Sequence, residues 1–107
     1  MAKKTARRES APHSDERKLK QLAREAYRIL SQALGELADP RLESAFLVEV
    51  RPAPDAGRLA ARVSAGMRAT VSQVEAALEA ARGHLRGELA TGLARKRTPD
   101  LLFEVVP

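Results

Sequence analysis

Cysteine is absent from this 107-residue chain, which excludes disulfides, thiolate nucleophiles and Cys-ligated zinc or iron–sulfur centres. Tryptophan is absent as well, and only Tyr27, Phe46 and Phe103 are aromatic. They lie in or beside apolar stripes, so stacking of nucleic-acid bases on them is not expected. The two histidines, His13 and His84, stand far apart, and no carboxylate or hydroxyl pairs with His84 at a recognisable catalytic spacing. No Gly-rich phosphate loop precedes a helix. The Gly-x-x-x-Gly spacing of Gly83 and Gly87 falls in a polar segment, unlike the apolar membrane helices to which that signal belongs. No apolar run reaches the roughly 20 residues of a membrane span. The basic start, Lys3-Lys4-Thr5-Ala6-Arg7-Arg8, is followed by no hydrophobic stretch and so is not a secretory signal; Glu9, Asp15 and Glu16 argue against a mitochondrial presequence. A small soluble basic domain is left, with little equipment for catalysis.

What is present is charge and periodicity. Lys and Arg number 19 against 14 Asp and Glu, a formal net of +5, and 44% apolar residues suffice for the core of one domain. Residues 1–14 carry Lys3, Lys4, Arg7 and Arg8, with no large apolar residue after Met1, and read as a basic flexible tail. It serves either as a solubilising arm or as an arm that settles on a polyanion. Residues 15–107 form the folded domain. Ser14 is placed to cap a helix whose apolar positions, Leu19, Leu22, Ala23, Ala26, Ile29, Leu30, Ala33, Leu34 and Leu37, recur at helical spacing. Pro40 ends it at or before Ala38.

Phe46, Val48 and Val50 then alternate with Leu47, Glu49 and Arg51, which predicts a strand burying the first set. The cluster Pro52-Ala53-Pro54-Asp55-Ala56-Gly57 predicts a turn with Gly57 at positive φ. Leu59, Ala61, Val63 and Ala65 mark the second strand of an antiparallel hairpin. Thr70 with Gln73 fits a capping box, as does Ser72 with Glu75. Val71, Val74, Leu78 and Ala81 follow, then Gly83, then Leu85, Leu89 and Leu93. We take Gly83 as a bend between two helices, with His84 as a bend residue. After Pro99, Leu101, Phe103 and Val105 mark a last strand. The order is α-β-β-α-α-β.

On a helical wheel of 100° per residue, Arg17, Lys20, Arg24 and Arg28 fall within about 80° of one another, opposite the leucine stripe. Lys20, Arg24 and Arg28 are i,i+4 like-charge pairs, each costing about 0.2–0.5 kcal/mol. A one-sign stripe points to a polyanion such as a phosphate backbone, and the bland alternative is solubility. Arg82 and Arg86 flank the proposed bend, and Arg95-Lys96-Arg97 closes the last helix. These five serve either nucleic-acid contact or the helix dipole and core cover.

Three segments resemble one family. Asp39-Pro40-Arg41-Leu42 after a long first helix, Ala81-Arg82-Gly83-His84-Leu85-Arg86 with Leu89-Ala90 and Leu93, and Thr98-Pro99-Asp100-Leu101-Leu102-Phe103 occur in an order and spacing similar to bacterial ribosome-binding factor A. Asp100 stands where the family motif has Glu. The resemblance spans residues 15–105 and implies an α+β fold of the type II KH kind, a kinked helix pair packed on a three-stranded sheet. It implies that Ala81-Arg82-Gly83 is the kink replacing the KH Gly-x-x-Gly loop. It also implies a non-enzymatic, cytoplasmic factor linked to cold adaptation. Such a factor binds the free small ribosomal subunit and assists late 16S rRNA maturation, 5′-end processing included, and a ribosome-associated GTPase promotes its release. We expect a monomer with no cofactor and no membrane partner. Many members continue into a tail that contacts the subunit, and that contact is not expected of a chain ending at Pro107. The alternative function is a basic protein–protein adaptor that meets an acidic partner.

Overall fold

The computed structural model describes the backbone of residues 2–53, 57–93 and 95–107, and the side chains of residues 16–53, 57–93 and 95–107. Two helices and three strands follow in the order α1 (Ala2–Glu36), β1 (Phe46–Pro52), β2 (Arg58–Ser64), α2 (Val71–Gly92) and β3 (Asp100–Val106), with a 3-10 turn at Pro40–Leu42. The strands form one mixed sheet in the order β1-β2-β3, the first pair antiparallel and the second parallel. A parallel pair needs a crossover, and α2 supplies it.

Both helices lie on one face of the sheet, α1 over β1 and α2 over β3. Leu22, Ala26, Leu30, Ala33 and Leu34 of α1 and Val74, Leu78, Leu85 and Leu89 of α2 meet Leu47, Leu59, Ala61, Val63 and Leu101 of the sheet. The stripe seen in the sequence is therefore the buried face of α1. At Gly92 the helices come so close that a Cβ there would lie 2.6 Å from Ile29 Cδ1. The Asp39-Pro40-Arg41-Leu42 segment has a complete local explanation. The Asp39 carboxylate caps the 3-10 turn through the Arg41 amide at 2.9 Å and pairs with the Arg41 guanidinium at 2.7 Å; Pro40 sets the first residue and Leu42 enters the core. That hydrogen-bonded pairing holds the Asp39 carboxyl below the usual carboxylate range.

Four expectations need correction. Helix α1 is assigned from Ala2, so Ser14 lies inside it instead of capping it. Eight of residues 2–14 are Ala, Lys, Arg or Glu, all strong helix formers, and the backbone stays helical across Pro12 despite the cost of that residue. Strand β1 buries Leu47 and leaves Phe46 56% exposed, the reverse of the alternation reading. A bulge is the cause: Leu47 pairs with Val63 and Glu49 with Arg62, so Val48 is an extra residue that switches the phase and lets Val50 turn inward. Gly57, expected at positive φ, shows none; among the described residues that conformation is at Gly66, and positions 54–56 of the hairpin turn lie outside them.

The fourth correction concerns α2. One helix runs through Gly83, giving α-β-β-α-β in place of α-β-β-α-α-β. Val74, Ala77, Leu78, Ala81, Leu85 and Leu89 stay within about 120° on the wheel, so a straight helix buries them all and a break would lose half. Gly83 faces the opposite way, exposed, with open space where a Cβ would stand. Gly83→Ala is accordingly expected to stabilise the protein by about 0.5–1 kcal/mol in urea unfolding. A loss of stability would mean that a bend is needed there. The capping box at Thr70 and Gln73 forms as predicted, with both reciprocal bonds made, at 2.9 and 3.1 Å.

Candidate nucleic-acid interface

The packing of α1 decides which basic side chains are free. With the leucine stripe buried, Arg17, Lys20, Arg24 and Arg28 are forced onto the opposite, exposed face. Among the described residues none of the four makes an ion pair or side-chain hydrogen bond. Other cations are treated differently. On the outer face of the sheet Arg51 meets Glu104 at 2.8 Å and Glu49 at 3.2 Å, and Arg62 reaches the same two carboxylates at 3.6 and 3.4 Å. Hydrogen bonding from Arg51 holds the Glu104 carboxyl below the usual range. Arg68 pairs with Glu43 at 2.9 Å. The sheet face is charge-balanced and the outer face of α1 is not.

The nine basic residues singled out in the sequence divide by the same test. Arg82 is a bolt between α2 and β3: it donates to the Leu101 carbonyl, forks onto Glu79 at 2.9 and 2.5 Å, and lies over the Phe103 ring 4.9 Å from its centre. Glu79 raises the Arg82 guanidinium pKa and is itself held below the carboxylate range by that hydrogen bond. Arg86 is held by Asp100 at 3.2 Å and the Thr98 carbonyl at 3.5 Å. Arg95, Lys96 and Arg97 are exposed and unpaired among the described residues. Seven cations thus remain available, and two are committed to holding the fold. Ala81, Arg82 and Gly83 sit in mid-helix, Gly83 toward solvent. His84 is exposed beside Glu88, 3.7 Å away, and among the described residues no group of side chains has the make-up of a metal site.

The available cations join into one surface. Arg17, Arg24 and Arg28 line a depression of about 620 Å³ with Gln21 and Glu25. Gln21 and Glu25 also border a second depression, whose other walls are Lys18, Leu22 and Arg95. Arg95 and Arg97 then line a concavity of about 610 Å³ that reaches Arg86, Thr98 and Asp100. The segment after α2 therefore lies against α1 and continues its positive face. Sequence reasoning missed Lys18, although the wheel places it, with Gln21 and Glu25, on the flank of the stripe. That this flank meets Arg95 is a tertiary fact with no local signal. Such a surface can bind polyanions by releasing their counterions, and it carries no group for bond-breaking chemistry.

Comparisons with known proteins agree in one direction. No protein-family model matches the sequence. The chain is 34% identical over 92 residues to ribosome-binding factor A of Solibacter usitatus, covering 84% of this chain and 75% of that protein. It is similar to the crystal structure of ribosome-binding factor A from Thermus thermophilus, with a TM-score of 0.74, 28% identity, and 81% and 93% of the two chains covered. It is also similar to the Thermus thermophilus factor as fitted into a cryo-EM map of a 30S complex, with a TM-score of 0.64, 29% identity, and 77% and 88% covered.

Proposed function

The chain belongs to the ribosome-binding factor A family, a family of non-enzymatic ribosome-binding factors, and from that premise we propose that it binds the free 30S subunit and assists late maturation of 16S rRNA, processing of the 5′ end included. The observation that carries this reading is the unneutralised positive surface, Arg17, Lys20, Arg24 and Arg28 continued by Lys18, Arg95 and Arg97. Its like-charge neighbours destabilise α1 slightly and gain a partner only on a polyanion. The thermophilic relative is fitted in a 30S complex, which supports the same partner here. Lys96 is exposed beside Arg95 and Arg97 and adds to the same positive charge. Arg82 and Arg86 act mainly by fixing α2 to β3, and Ala81-Arg82-Gly83 presents mid-helix surface beside them. The factor works in the cytoplasm as a monomer, and a ribosome-associated GTPase drives its release. Among the described residues no helix is long and apolar enough to cross a membrane.

The test is sedimentation of the tagged protein in lysate through a sucrose gradient. Comigration with free 30S subunits, and absence from translating ribosomes, is the expected result. Protein left at the top of the gradient at low salt would remove the ribosome and favour an adaptor that meets an acidic protein.

A further inference from the structure

Tyr27, the single tyrosine of the chain, flanks the leucine stripe and on that reading is unavailable to bases, yet it is not in the core. The residue is 38% exposed and lines a groove of about 480 Å³ between α1 and the outer edge of β1. Its hydroxyl donates to the Leu47 carbonyl at 3.2 Å, which fixes the ring and satisfies an edge-strand acceptor. The bulge turns Val48 out beside it, and Ala23 and Val50 complete an apolar floor. Lys20 and Arg24, both unpaired among the described residues, form the helix-side lip. Arg24 also lines the depression of the basic stripe, so groove and stripe are continuous. The groove's one carboxylate, Glu49, is already held by Arg51 and Arg62.

We infer that this groove receives an unstacked base of single-stranded RNA, with its base against Tyr27 and Val48 and its flanking phosphates on Lys20 and Arg24. This rests on the RNA-binding reading of the stripe and adds a preference for unpaired nucleotides. A nucleotide joins a flat apolar face to an anionic backbone, which matches a flat apolar floor beside two free cations. A duplex would satisfy the cations and leave the floor empty, because its bases are stacked inside. A purely apolar peptide would fill the floor and leave both cations unpaired.

The test uses the full chain, a labelled oligoadenylate and an abasic oligonucleotide of the same length and charge, with affinity read by fluorescence anisotropy. The wild type should bind the base-bearing strand about tenfold more tightly than the abasic one. Tyr27→Leu, which keeps apolar bulk but lacks the ring, should erase that difference and leave abasic affinity unchanged, whereas Tyr27→Phe should retain it. Equal binding of the two strands by the wild type, or a difference that survives in Tyr27→Leu, overturns the groove and leaves the stripe intact. Binding of neither strand at low salt defeats the stripe reading, and the groove falls with it.

Discussion

Replacing Arg24 and Arg28 together by glutamate is expected to weaken binding to the 30S subunit by roughly a thousandfold and to leave the circular dichroism unchanged. Each cation facing a phosphate through water is worth about 1 kcal/mol, and reversing its sign turns that attraction into a repulsion of similar size. Two reversals acting on one surface therefore remove about 4 kcal/mol. The fold has no corresponding loss. Both side chains are exposed and make no ion pair among the described residues, and neither touches the leucine stripe. Stability should change little, because a carboxylate four residues after Lys20 relieves one like-charge pair while the two new carboxylates, four residues apart and next to Glu25, form others. Undiminished binding at physiological salt would make the stripe a solvated face.

The largest effect on stability is expected from Gly66→Ala, a loss of about 2–5 kcal/mol. Gly66 has φ of +74°, where any L side chain is strained by about 1–2 kcal/mol. A Cβ there would also press on the Ser44 carbonyl and lie 2.7 Å from Ser44 Oγ, an overpacking worth a further 1–3 kcal/mol or so. Ser44 cannot simply move aside. Its hydroxyl donates to the Ala65 carbonyl at 3.2 Å and accepts from the Arg68 amide at 3.0 Å, tying the turn after the first helix to the loop between β2 and α2. Urea unfolding of the two variants, Gly66→Ala and Gly83→Ala, should therefore move the midpoint in opposite directions.

This pair of glycines also marks what could be seen in the sequence. Periodicity alone located the buried face of α1, the second strand, the last strand and the start of α2, because burial of one face imposes the spacing directly. It could not separate Gly66 from Gly83, since the need for positive φ arises from a contact with Ser44, 22 positions away. Reading Gly83 as a breaker weighed a penalty of about 1 kcal/mol for glycine and overlooked that the apolar phase is continuous across it. The β1 bulge was hidden for a related reason: an inserted residue changes which alternate positions face inward without changing the composition. The basic stripe on α1 was legible because one helix carries all of it. The commitment of Arg82 and Arg86 was not, since Leu101, Thr98 and Asp100 come to them from β3 and the segment before it. Nor was the groove at Tyr27, which needs the bulge to turn Val48 outward.

The central claim is that an unneutralised positive surface engages rRNA. It is tested most directly by measuring the affinity of the purified protein for purified 30S subunits across a salt series. Log affinity should fall steeply and linearly against log salt, with a slope that corresponds to several phosphate contacts and becomes shallower by about 2 in the Arg24→Glu, Arg28→Glu variant. A slope near zero, or one unchanged by the double reversal, would contradict it.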